Sequence, residues 1–284
     1  MKSLSVFWMG ARPKTLPAAI APVIVATAYA GKEWNPAHAL AALIVAISLQ
    51  IAVNYANDYS DGIRGTDRDR VGPTRLVASG LAEAKSVKVA AYIAFAIAIL
   101  SGTLLALSTS PWLFLIGALA ILSAWGYTGG EKPYGYRGLG EVSVFIFFGL
   151  VASIGTYFVQ TEEIDFTITL FGVAMGSIAC CILLLNNIRD RQGDEASGKR
   201  TLTVRIGLQM SVVLYSSLMS FALAIFLFAV DLPWNFLALL LFPILFVIRK
   251  EIARGSLIRA LELTGKFQMA YALALSLALI VARG

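Results

Sequence analysis

Charge is what this sequence has least of. Only 14% of its 284 residues are charged while 58% are hydrophobic, and the mean hydropathy is +0.76. A soluble domain carries about a quarter charged residues, so this composition excludes a chain solvated by water over most of its surface. Histidine is reduced to His38, which lies at the start of an apolar segment far from any polar cluster and argues against a histidine-based mechanism. The two cysteines, Cys180 and Cys181, are adjacent. Neighbours on a helix point about 100° apart, so no disulfide joins them and they are expected to pack as small apolar residues. A soluble basic domain is also missing. The net charge of +6 therefore gives no reason to expect a nucleic-acid partner. Nor is the N-terminus read as a cleavable signal. Ala28-Tyr29-Ala30 imitates a cleavage site, but Arg12 and Lys14 lie far from the start and Pro13, Pro17 and Pro22 interrupt the stretch.

What the sequence does contain is apolar blocks, too long and too uniform for amphipathic stripes. Spanning a bilayer takes about 20 such residues. Nine segments are expected to do so: 15–30, 37–56, 87–108, 111–127, 139–159, 166–185, 209–230, 232–248 and 266–282. The fold class is thus an all-α integral membrane protein with nine transmembrane helices, organised as one domain over residues 1–284. Alternating the loops puts 21 of the 23 basic residues on one face, leaving Lys32 and Arg283 on the other. The positive-inside rule makes the basic face cytoplasmic, with the N-terminus inside and the C-terminus outside. The long polar loops, 58–86 and 187–208, lie on that same face, where function is expected.

Two polar clusters close the second and sixth segments. Asn54, Asn57, Asp58 and Asp61 are spaced three and four apart, as are Asn186, Asp190 and Asp194, so each set shares a helical face. Carboxylates one turn apart at the mouth of an apolar bundle repel one another unless a cation sits between them. Such hard oxygen donors suit Mg²⁺, which is held by few carboxylates together with phosphate oxygens. Arg64 and Arg75 follow the first cluster; Arg189 lies within the second, and Lys199, Arg200 and Arg205 follow it. Acids for a metal beside cations for phosphate describe a diphosphate site. A third stretch, Tyr127-Thr-Gly-Gly130 through Lys132-Pro-Tyr134-Gly-Tyr136 to Glu141, offers close backbone approach at its glycines and aromatic rings to flank a ligand. By itself it equally describes an interfacial aromatic belt.

Together these residues resemble the UbiA-type intramembrane prenyltransferases. Four stretches carry the likeness: residues 11–22; 54–67 with 70–77; 127–136; and 186–190 followed by 198–207. It fades beyond Gly207 into hydrophobicity alone. The nearest branch is the one that prenylates 1,4-dihydroxy-2-naphthoate in menaquinone synthesis. The resemblance implies nine helices around a central chamber in the inner membrane, with its active site facing the cytoplasm. It also implies transfer of a polyprenyl group from polyprenyl diphosphate, losing diphosphate and CO₂ and giving demethylmenaquinone. Mg²⁺ would be held by Asp58 and Asp61 on one side and Asp190 and Asp194 on the other. Arg64, Arg75 and Lys199 would meet the diphosphate, with Asn54, Asn57, Asn186 and Arg189 completing the polar set. Lys132 and Tyr134 would contact the acceptor, Arg12 and Lys14 less directly. The family pattern often has an acid four residues after Asp58, where this chain has Gly62, so Asp61 or Asp67 must complete the first site; helical phase favours Asp61. Other acceptors, above all 4-hydroxybenzoate, stay open. A cation transporter is a weaker alternative because its acids would sit near the midplane rather than beside cytoplasmic cations. A CDP-alcohol phosphotransferase is weaker again, since Asp61-Gly62 lacks the Ala-Arg expected after it.

Overall fold

A computed structural model of the chain describes residues 2–65 and 74–283, and among them there are helices and turns but no strand. Helix α1 spans Lys2–Ala11 and α2 spans Pro17–Ala30, joined through a 3₁₀ turn at Pro13–Thr15. Arg12 sits between them in the left-handed region (φ 54°), and the segments Leu4–Thr15 and Pro17–Glu33 meet at a bend of 55°. Proline at the first turn of α2 lacks only an amide hydrogen that would be unpaired anyway.

Helix α3, Pro36–Arg64, begins where the Asn35 side chain accepts from the amides of Ala37 and His38, and ends at Gly65 in the left-handed conformation. Its 29 residues reach about 43 Å, beyond the roughly 30 Å hydrocarbon layer. The Asn/Asp cluster is therefore carried on a rigid helical extension rather than in a loop. Helix α4, Ala84–Ser108, packs along α3, and α5, Trp112–Gly126, folds back after a short turn. Helices α6 (Gly140–Val144) and α7 (Ala152–Thr161) are joined by a π-helical stretch, Phe145–Val151, into one rod. At Gly149 that rod approaches α8, Phe166–Ala196, so closely that a Cβ would lie 2.5 Å from the Cα of Gly176.

Helix α8 is the central post. Its Ile168, Phe171, Met175, Ile178 and Leu184 are wholly buried, and α9 (Leu202–Ala229) and α11 (Leu257–Arg283) pack against it. It is 31 residues long and, like α3, carries its acids on a projecting end. Gly207 (φ 78°) breaks the first turns of α9.

Among the described residues six helices are long and apolar enough to cross a membrane, seven if the bent α1–α2 pair is counted as one span. The two other expected spans take different forms. Segment 111–127 becomes the 15-residue α5. Segment 232–248 becomes a 3₁₀ helix at Trp234–Leu241 followed by α10, Phe242–Ala253, because Pro233 and Pro243 withhold amide hydrogens there. His38 lies at the far end from the acids, bonding the Val159 carbonyl and, at 3.1 Å, the Ser108 hydroxyl. Cys180 and Cys181 are buried free thiols packed against the Glu141 and Tyr215 carbonyls.

Candidate active site

The projecting end of α3 has two distinct faces. Asp58 is fully buried on one of them, and its two oxygens accept from the amides of Leu76 (2.9 Å) and Val77 (3.1 Å). Gly62, one turn on, lies under Val77, whose side chain would stand 2.5 Å from an added Cβ. A hydrogen at residue 62 is what lets the Arg75–Gly80 turn close on the helix. Asn54, Asn57 and Asp61 border a central cavity of about 1150 Å³ whose lining Asp58 does not join.

Asp61 is the centre of a buried charge cluster, itself 3% exposed. Its carboxylate accepts from the Tyr136 hydroxyl and lies 3.7 Å from both the Arg75 guanidinium and the Lys199 ammonium. Lys199 stands 3.7 Å from Asp194 as well, so one cation bridges the acidic ends of α3 and α8. It also sits 4.6 Å above the Tyr136 ring, a cation–π contact. Asp190 is held by its neighbour Arg189 through two 2.8 Å bonds.

This concentration of carboxylates needs cations for a reason beyond mutual repulsion. Asp61 lies in the last turn of α3 and Asp194 in the last turn of α8, where unpaired carbonyls already make each helix end negative. Among the described residues no three acids gather closely enough to enclose an ion by themselves. Asp61, Asp190 and Asp194 nevertheless open onto one cavity. That donor set fits a hard divalent cation that keeps waters and completes its shell with phosphate oxygens.

Above the charged mouth the cavity is apolar, lined by Val45, Leu49, Val53, Leu113, Phe147, Phe148, Val151 and Leu183 among others. Tyr127, Tyr134 and Tyr136 border it beside the polar cluster. Tyr127 and Tyr134 meet edge to face with centroids 5.6 Å apart. The Tyr134 hydroxyl is shared between Ser123 (2.7 Å) and Ser143 (2.8 Å), which presents its ring to the cavity. On the opposite rim Arg12 and Lys14 also line the cavity, and Lys14 pairs with Glu262 of α11.

Of the residues expected from the sequence, Asn54, Asn57, Asp61, Arg75, Tyr134, Asn186, Arg189, Asp190, Asp194 and Lys199 all border this one cavity. Asp58 does not. Asn54 points back to hold the N-terminal turn, donating to the Ala11 carbonyl (2.9 Å) and the Thr15 hydroxyl (3.1 Å). Arg64 grips the carbonyls of Thr128 and Gly130. Lys132 is exposed, outside the cavity lining. Asp67 lies outside the described residues.

Sequence reasoning singled out neither Thr128, which donates to Asn57 at 2.7 Å, nor Gln50, which holds Thr15 at 2.8 Å, nor the Asn187–Glu141 bond of 2.8 Å beside the cavity. Gln50 lies four residues before Asn54 on the same helix, and that spacing was the available signal.

The chain is similar to known proteins in sequence and in fold. A 1,4-dihydroxy-2-naphthoate octaprenyltransferase of Mycobacterium tuberculosis is 45% identical over 98% of this chain and 98% of its own. One of Escherichia coli is 39% identical over 82% of this chain and 80% of its own. Among solved structures, the apo UbiA homolog of Aeropyrum pernix K1 superposes with a TM-score of 0.73 at 15% identity, covering 92% of this chain and 96% of that one. An Archaeoglobus fulgidus UbiA homolog bound to GPP and Mg²⁺ gives 0.68 at 12%, covering 95% and 99%. At that identity the structural likeness speaks for the fold alone. The sequence model of the UbiA prenyltransferase family matches residues 19–256, and with relatives this similar along nearly its whole length the chain belongs to that family.

Proposed function

We propose that the protein transfers a polyprenyl group from polyprenyl diphosphate to 1,4-dihydroxy-2-naphthoate, releasing diphosphate and CO₂. The observation that carries this is the juxtaposition at one cavity: acids and buried cations at the mouth, tyrosine rings beside them, and an apolar chamber beyond. The relatives named for this reaction supply the acceptor. The 21-to-2 bias of basic residues supports nine spans, with the short α5, the bent α1–α2 pair and the 3₁₀–α10 segment counted among them, and a mouth facing the cytoplasm.

Asp61, Asp190 and Asp194 would hold Mg²⁺, which when bound supplies positive charge to the leaving diphosphate. Arg75 and Lys199 face the same place and hydrogen-bond the diphosphate oxygens as charge builds on them. Asp58 orients rather than ligates: by fixing the amides of Leu76 and Val77 it sets the turn that carries Arg75. Asn54 and Asn57 likewise hold the turns around the mouth. The apolar wall receives the prenyl chain and keeps water from the allylic carbon. The Tyr127 and Tyr134 rings, which meet edge to face, would form one aromatic wall against the naphthoate at the boundary of polar and apolar surface.

Bond changes balance without an outside reactant. The allylic C–O bond breaks with its electrons leaving on diphosphate, the electron-rich ring forms the new C–C bond, and loss of CO₂ returns an electron pair to the ring. The product is the quinol of demethylmenaquinone.

The test is turnover by purified protein with a labelled prenyl diphosphate and Mg²⁺, offering 1,4-dihydroxy-2-naphthoate and 4-hydroxybenzoate separately. Prenylated naphthoquinol from the first is the expected outcome. Product from 4-hydroxybenzoate alone would refute the acceptor assignment, and cation flux into vesicles with no product from either would refute the enzyme class.

A further inference from the structure

Three residues on successive turns of α3 grip one segment of chain. Asn57 accepts from the Thr128 hydroxyl at 2.7 Å, Asp61 accepts from the Tyr136 hydroxyl, and Arg64 donates to the carbonyls of Thr128 and Gly130. The helix end that carries the acid motif is thus zipped along its length to the aromatic stretch that borders the acceptor side of the cavity.

Within that zipper Asp61 is the member that also meets Arg75 and Lys199, each at 3.7 Å. Its partner Tyr136 has the corresponding double attachment. The ring lies under Lys199 (4.6 Å) and beside Arg64 (5.6 Å), and its carbonyl accepts from the Arg200 amide at 2.7 Å. Two residues before it stands Tyr134, whose ring faces the cavity. A change in the partners of Asp61 or Lys199 is therefore felt at Tyr136 directly, and at Tyr134 through a short, hydrogen-bonded piece of backbone.

We infer that Tyr136 is a positioning residue coupling the diphosphate site to the acceptor pocket, so that filling one sharpens the affinity of the other. This rests on the reaction proposed above. A diphosphate arriving at the mouth draws Lys199 and Arg75 toward its oxygens and away from Asp61. The Tyr136 hydroxyl then becomes a larger share of the hydrogen bonding to that carboxylate, and the ring is released from beneath the ammonium. Both effects settle the Thr128–Tyr136 segment in the position that frames the naphthoate. By linkage the acceptor must favour diphosphate binding by the same factor.

The experiment measures binding of 1,4-dihydroxy-2-naphthoate by calorimetry, with Mg²⁺ and with or without a prenyl thiolodiphosphate that does not ionise. Wild-type protein is expected to bind the acceptor at least about fivefold more tightly when the analogue is present. Tyr136→Phe keeps the ring and removes one oxygen. It is expected to bring the two affinities to within about twofold, below the usual range of coupling, while each ligand alone still binds. A purely structural role would weaken both ligands and leave their ratio intact. A second measurement needs only the wild type: hydrogen exchange across residues 128–136 is expected to slow when the analogue binds. Full coupling in Tyr136→Phe, or exchange unchanged by the analogue, overturns the inference. Wild-type turnover without any coupling also overturns it and leaves the reaction standing. Wild-type protein that neither binds nor prenylates the naphthoate overturns both.

Discussion

Asp58 and Asp61 are three residues apart on the same helix, yet their surroundings assign them different work, and substituting each by asparagine separates the two. At position 58 both carboxylate oxygens receive buried amide hydrogens, from Leu76 and Val77. Asparagine keeps one acceptor and turns its NH₂ toward the other amide, leaving a buried donor unsatisfied. That loss costs about 1–3 kcal/mol. For a protein of 284 residues the apparent melting temperature falls by roughly 2–5 °C, readable from tryptophan fluorescence of purified protein in detergent. The freed turn carries Arg75, so KM for the prenyl diphosphate rises as well. The Mg²⁺ concentration for half-maximal rate should not move in Asp58→Asn. In Asp61→Asn it should rise by about tenfold or more, the scale on which even indirect support of a metal site matters. An Asp58→Asn protein that melts like wild type while its Mg²⁺ requirement climbs would refute this division and return Asp58 to the metal.

Gly62→Ala puts a Cβ 2.5 Å from the Val77 side chain. The turn must lift, which costs about 1–3 kcal/mol as in other overpacked sites, and thermal unfolding together with KM for the diphosphate reads the change. Lys199→Met removes the cation between Asp61 and Asp194. Since a hydrogen bond to a charged group contributes about 1.5–3 kcal/mol, kcat/KM for the diphosphate should fall roughly 10- to 100-fold. The two facing carboxylates should also lower the melting temperature until Mg²⁺ is added; a variant equally stable with and without Mg²⁺ would contradict the bridging role. Glu262→Gln breaks a pair whose lysine is 70% exposed. Solvent and salt screen such a pair, so the melting temperature should stay within experimental error of wild type.

Much of this was legible in the residues themselves. The three- and four-residue spacings placed Asn54, Asn57 and Asp61 on one helix and Asn186, Asp190 and Asp194 on another, and these converge on the cavity. Spacing could not tell whether Asp58 faces the same space, because its direction is decided by a turn 18 residues later in the chain that closes over Gly62. Arg64 shows the same limit. An arginine after an acidic motif suggests a phosphate ligand, but the carbonyls of Thr128 and Gly130, exposed by a turn that only tertiary structure brings near, claim its guanidinium first. The helix ends were set too short for a related reason. Hydropathy falls at residues 56 and 185, whereas hydrogen bonding continues to the left-handed Gly65 and to Ala196. Prolines 233 and 243 carried the signal that the eighth apolar segment would not be one regular helix.

The central claim, decarboxylating prenyl transfer at this cavity, is tested most directly with carboxyl-labelled 1,4-dihydroxy-2-naphthoate. Purified protein is supplied with a prenyl diphosphate, and released CO₂ and prenylated quinol are counted in the same reaction. The account predicts the two in equal amounts, dependent on Mg²⁺ and abolished by EDTA and by Asp190→Ala. Prenylated product retaining the carboxyl label, or undiminished turnover in Asp190→Ala, would contradict it.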